Sequence, residues 1–358
     1  MKKINLSIIA ICFLIVTLGC SKNNKNPEEF FGFKEYQTVT GNRLAVSDNI
    51  QKAYELLVVG ELLIVSNPNF QYHFTIIDLN EEKKVAEFGK MGYGPCELSF
   101  PASLQLTGNG SNVVGVNNRN KFSYQEFNLS SVLSQNNKLD TCINTTSNFN
   151  LNYHKLIKVQ DSLFVGTGSF EKRFAVSKTD EKLPSEFFGE YPFSKDLAAF
   201  NHHILSIAYQ GDILMRPSGG KFVSTSRSSF NFDIVRIGLN GSLELENATR
   251  FWPPSFGGNS GSLISTGYFI STMESDNKYG CLSTSVSDNF IYILYSGKTM
   301  KENAMYSNTI LVYDWNGNPI KVLELDQQLN LISVSQNDDY LIGSVDDGEA
   351  NLYKYKLK

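Results

Sequence analysis

Read for apolar and polar positions, the chain repeats one phrase six times: a turn, four or five β-prone apolar residues, a polar loop and a second β-prone run. The phrase reads GELLIVSN from Gly60, GSNVVGVN from Gly110, DSLFVGTG from Asp161, GKFVSTS from Gly220, DNFIYILYSG from Asp288 and DDYLIGSV from Asp338. Anchored on Leu63, Val114, Phe164, Val223, Ile291 and Leu341, the intervals are 51, 50, 59, 68 and 50 residues. That period suits a four-stranded antiparallel sheet with its turns. Six such units predict an all-β, six-bladed β-propeller of four-stranded antiparallel blades.

The rest of each repeat is also legible. Short inner strands precede the anchors as ELLVV, SLQLT, HKLIKV, DILMRP, CLSTSV and LNLISV, and alternating runs such as FTIIDLNEEK from Phe74 and NLYKYKLK from Asn351 follow them. Asn240-Gly241 and Asn316-Gly317 carry the composition of type I′ hairpins joining third to fourth strands. In this order, blade-to-blade and second-to-third-strand connections share one face. The long segments 89–101, 142–153, 191–211, 252–280 and 296–308 are all predicted there, which marks that face for binding. The last repeat ends after its third strand, whereas Lys34 to Thr40 (KEYQTVT) is a β-prone run without a partner. An N-terminal strand completing the last blade would close the ring and hide both open edges.

The N-terminus adds a location. Lys2 and Lys3 precede an apolar run from Ile4 to Leu18 that is short for a membrane span and ends in Thr17-Leu18-Gly19-Cys20. This resembles a bacterial lipoprotein box, with Thr17 standing where Leu is usual. The resemblance implies a signal peptide over 1–19 and lipidation of Cys20; the polar SKNNKNPEE run then reads as a tether over 20–32, and the repeats place the propeller over 33–358. The expected location is the bacterial cell envelope, lipid-anchored, with Ser21 after the cysteine compatible with outer-membrane sorting.

Composition narrows the chemistry. Apolar residues make up 41% of the chain, aromatics 12%, and the net charge of −4 gives no reason to expect nucleic acid. Cys96, Cys142 and Cys281 have neither zinc nor disulfide-framework spacing; one bridge is open to them, but buried apolar thiols are the expectation. No phosphate loop, HExxH, EF-hand or Gly-x-Ser-x-Gly elbow occurs, so no cofactor or metal is expected. The segments FGKMGYGPCELSFP at Phe88, AYQGDILMRPSGGKFV at Ala208 and IYILYSGK at Ile291 occur in an order similar to the TolB-like six-bladed β-propeller lipoproteins of Gram-negative bacteria. The resemblance implies the same fold and a lipid anchor, and it carries over no catalytic residues.

Lys90, Tyr93, Arg119, Lys121, Arg173, Arg227, Lys298 and Tyr306, together with Phe70 and the pair His202-His203, fall on the predicted long-connection face. Rings beside cations there suit a protein or glycan ligand over the channel mouth, although a solvated rim has the same composition. The two histidines, taken as adjacent residues of an extended segment, are expected to point to opposite sides. The sequence thus reads as a non-catalytic binding or scaffold module. Its rival is a polysaccharide hydrolase or lyase acting at the same mouth.

Overall fold

The computed structural model describes residues 31–358 apart from 70, 108–111, 135–137, 140–141, 148, 180, 258–271 and 347–349. The signal peptide, Cys20, most of the tether and Phe70 lie outside the described residues. From the axis outward, blade 1 is Glu55–Val59, Leu62–Ser66, Tyr72–Asp78 and Lys83–Lys90. Blade 2 is Pro101–Leu106, Val113–Asn118, Ser123–Asn128 and Asn144–Ser147, and blade 3 is Tyr153–Gln160, Leu163–Gly168, Phe174–Lys178 and Glu186–Phe188. Blade 4 is Ile213–Met215, Lys221–Thr225, Phe230–Ile237 and Leu243–Trp252, and blade 5 is Cys281–Val286, Phe290–Tyr295, Ser307–Asp314 and Pro319–Leu329. Blade 6 is Leu331–Val334, Tyr340–Asp346 and Ala350–Lys356, completed by Gly41–Arg43. The fold is the expected six-bladed propeller.

Neighbouring blades cover both faces of each sheet, so second strands are apolar at successive rather than alternate positions. Leu63, Ile64 and Val65 are all fully buried, as are Ile291, Ile293 and Leu294. Aromatic rings fill the wedge between blades 4 and 5: Phe230, Phe232, Tyr295 and Tyr313 pack with Phe31 and Phe33 from the N-terminal segment. Phe31 sits 4.9 Å from Phe230 and Phe33 sits 5.1 Å from Tyr313 between ring centroids. Burying each phenyl contributes about 1.5–3 kcal/mol. Phe31 is therefore packed core, although the sequence assigns it to the tether.

An N-terminal strand completes the last blade as expected, but it lies just beyond the run Lys34 to Thr40. The run containing Glu35–Val39 pairs in parallel with Lys321–Leu325 of blade 5, as a fifth strand. The ring is completed instead by Gly41–Arg43, antiparallel to Tyr353–Tyr355. The crossing from one blade to the next falls at Gly41, whose amide donates to Asp326 Oδ1 at 3.0 Å. A Cβ there would lie 2.6 Å from the Tyr355 ring, so a glycine is needed where the backbone passes this close.

Three further expectations are corrected. At Asn240-Gly241 and Asn316-Gly317 only the glycines have positive φ, +83° and +84°, so neither turn is type I′. Gly241 N–H donates to Gly238 O and Gly317 N–H to Asp314 O, closing three-residue loops with the glycine in the left-handed position. The long connections lie where expected, with one exception. In blade 2 the third-to-fourth-strand link carries the helix Leu129–Ser134 and the strand Lys138–Leu139, which pairs with blade 1. Cys96 and Cys142 form a disulfide, while Cys281 is a free, buried thiol. The bridge is invisible in the spacing because it joins two residues 46 apart that approach only when the 89–101 connection settles against blade 2.

Closing a loop of this length contributes about 4 kcal/mol in the chain-entropy model. Cys96→Ser is therefore expected to lower the free energy of unfolding by about 2–4 kcal/mol in chemical denaturation. A thiol titration of the unreduced, unfolded residue 31–358 region should find Cys281 alone; reactive Cys96 and Cys142 would refute the bridge.

Candidate functional site

All six inner strands meet at the long-connection end of the channel, where Tyr54, Glu55, Ser103, Lys155, Asp212, Ile213, Arg227, Thr284 and Leu331 line a mouth of about 80 Å³. Four of these residues are charged, and the structure ties the two acids down. Ser103 has φ +58°, at a bulge in the pairing of its strand. This turns two consecutive amides toward one point, a small anion nest. Glu55 occupies it, accepting from Ser103 N–H at 3.2 Å and Leu104 N–H at 3.1 Å, and it also pairs with Lys155 Nζ. Asp212 accepts from Thr284 N–H of the next blade at 2.8 Å.

The electrostatics follow from this crowding. Burial by itself disfavours the Lys155 ammonium, but the Glu55 and Asp212 carboxylates outweigh burial and the opposing Arg227, and its pKa is raised. Next to it, burial and then the nearby Arg119 push His154 down to about 4, so this imidazole is neutral at pH 7. Its Nδ1 lies 3.2 Å from Gln210 Nε2.

Of the residues singled out in the sequence, Arg227 alone reaches this mouth, where no partner for its guanidinium is seen among the described residues. Arg173 is not on the face at all. It is 2% exposed between blades 3 and 4, with Nε 2.9 Å from Asp233, which also pairs with Arg250. Ser224 and Ser226 accept from its Nη2 at 3.3 Å each. The nearby insertion covers it, placing Tyr209 against the guanidinium at 5.8 Å.

Lys90 and Lys121 brace the 89–101 connection. Lys90 pairs with Glu97 at 3.2 Å, and Lys121 donates to the carbonyls of Gly94 and Glu97. Glu97 in turn accepts the Gly94 amide at 2.8 Å, and Tyr93 stands 76% exposed on the same loop. Arg119 lies over the Phe100 ring at 5.2 Å. Lys298 donates to the Tyr306 carbonyl at 3.3 Å, and Tyr306 OH donates to the Asp346 carbonyl at 2.6 Å.

His202 and His203 open the helix His202–Ala208 rather than an extended segment, because Asn201 caps it by accepting from Ile204 N–H at 3.1 Å. Their rings are 4.0 Å apart, and His203 Nδ1 lies 2.6 Å from Ser169 Oγ. No group of three or more potential metal ligands occurs among the described residues. Sequence reasoning missed Glu55, Lys155 and Asp212. Their signal was available: each is a charged residue at or just before the head of an inner strand.

This architecture has known counterparts. A family model described as TolB-like 6-blade propeller-like matches residues 253–337. The TolB-like resemblance carried by the three sequence segments is thereby borne out, together with its six-bladed arrangement. Among solved structures, hydrazine synthase of Kuenenia stuttgartiensis is similar at 10% identity, with 87% of this chain and 97% of that one covered and a TM-score of 0.44. The β-propeller domain of Cps50 (Swd1) from Myceliophteria thermophila is similar at 9% identity, with 84% and 98% covered and a TM-score of 0.43. A comparison with curated proteins found no match. The TolB-like match covers the connection after blade 4, blade 5 and the first strand of blade 6, and it leaves the chemistry of the mouth to be argued from its own residues.

Asp233→Asn, which leaves Arg173 buried without its carboxylate, is expected to destabilise the chain by about 3–5 kcal/mol in chemical denaturation. A loss below about 1 kcal/mol would place Arg173 in the class of exposed pairs.

Proposed function

We propose that the protein is a lipid-anchored, non-catalytic binding module of a bacterial cell envelope, recognising a protein or glycan with its long-connection face. The observation that carries this reading is the state of the two acids at the mouth. Glu55 and Asp212 are held by backbone amides of the following blade, an arrangement that fixes their geometry and occupies their oxygens. A glycosidase needs one carboxyl free to deliver a proton to the leaving oxygen. The hydrolase or lyase reading therefore loses support, and rigid presentation gains it.

Two other features support the location. The Cys96–Cys142 bridge fits an oxidising compartment such as a periplasm or cell surface. The leader sequence through Cys20 has the grammar of an exported lipoprotein. No helix among the described residues is long and apolar enough to cross a membrane.

In cells, Cys20→Ala is expected to move the protein from the membrane to the soluble fraction, and the mature N-terminal peptide should carry diacylglycerol by mass spectrometry. On glycan arrays and in crosslinking against isolated envelopes, the mature chain should bind, and Tyr93→Ala should weaken the signal. Steady turnover of a polysaccharide that vanishes in Glu55→Gln would overturn the non-catalytic reading.

A further inference from the structure

One seam of the ring differs chemically from the others. The inner strand of each blade is an edge, and at five seams the preceding blade caps its outward amides. Ser333 Oγ accepts from Val58 N–H, Ser103 Oγ from Leu156 N–H, Gln105 Oε1 from Lys158 N–H, and Ser283 Oγ and Ser285 Oγ from Ile332 and Val334 N–H. Glu55 and Asp212 do the same for blades 2 and 5.

Between blades 3 and 4 no such bond is seen among the described residues. Thr225 N–H donates to Asp212 O at 2.9 Å and Arg216 N–H to Lys221 O at 2.9 Å, which fixes the alternation of the strand between them. Ile213 and Met215 therefore turn their amides away from their own blade, toward blade 3. What blade 3 presents at the mouth is Lys155, beside Ile213, whereas Lys158 deeper down pairs with Glu126 of blade 2 at 3.0 Å. An ammonium has no lone pair to offer. At Ile213 a donor thus stands beside a donor, and the residue is only 2% exposed, although a buried amide ordinarily finds an acceptor.

We infer that this corner of the mouth binds the carboxylate of an acidic sugar, a hexuronate, held between the Ile213 amide, Lys155 and Arg227. The molecule supplies its own precedent two seams back round the ring, where the Glu55 carboxylate lies against two backbone amides and Lys155. The sugar follows from the remaining lining. A space of about 80 Å³ takes a carboxylate and its neighbouring atoms but not a chain, and Tyr54, 56% exposed, offers a ring face to the pyranose left above it. Glu55 and Asp212 make the corner repel a doubly charged phosphate more than a single carboxylate. This inference rests on the reading of the protein as a binding module and names the ligand class.

The test titrates the mature chain in detergent with D-galacturonate and its short oligomers, D-galactose and inorganic phosphate. Calorimetry is read alongside the amide resonance of Ile213 in isoleucine-labelled protein. Galacturonate should bind and shift that amide, galactose should not, and Arg227→Gln, at an exposed position, should weaken binding about tenfold or more. Absence of galacturonate binding at millimolar concentration, an Ile213 amide unmoved at saturation, equal affinity in Arg227→Gln, or an equal response to phosphate would each overturn the inference. Envelope or glycan-array binding that survives intact in Arg227→Gln would remove this site while leaving the proposed function in place.

Discussion

A propeller's central channel is walled by strand edges, and an edge strand carries unpaired amides and carbonyls that demand partners. Here the demand is met by side chains crossing from one inner strand to the next. Serines at 103, 283, 285 and 333, Gln105, Glu55 and Asp212 each accept an amide of the following blade. At five of the six seams these bonds tie a blade to its predecessor, and the shape of the mouth follows from them. They also explain why polar residues recur along the inner strands.

The outer part of the ring is held by a different force. Between the blades, aromatic and aliphatic rows interlock, and the N-terminal segment runs across their outer rims as a strap. Phe31 and Phe33 enter the wedge between blades 4 and 5, Glu35–Val39 adds to blade 5, and Gly41–Arg43 completes blade 6. Leu44, Val46 and Ile50 then pack against blades 6 and 1. One stretch of about twenty residues thereby spans three seams, so the closure of the ring is spread over many contacts rather than concentrated in one short strand pair.

Binding and rigidity are linked through this construction. Two of the charged residues at the mouth, Glu55 and Asp212, serve first as caps, and Lys155 and Arg227 stand beside them. A site of this kind gains affinity from being preorganised, since its groups lose little freedom when a ligand arrives. Buried Arg173 shows the converse: a cation that the sequence offers as a ligand contact is consumed in fixing blade 3 to blade 4.

What the sequence determined by itself is the local periodicity: six apolar anchors, the inner strands before them, and the placement of most long connections on one face. These depend on side chains within a few residues of one another, and an alternating or continuous apolar run declares its strand wherever it sits. Glu55, Lys155 and Asp212 were visible as charges at strand heads, but nothing local says that residues a hundred apart would share one mouth. Only the tertiary structure decided the 96–142 bridge, the crossing at Gly41, the burial of Arg173 and the uncapped seam beside Ile213. Each of these depends on which blade ends beside which, and that is settled when the ring closes and distant segments compete for the same edge.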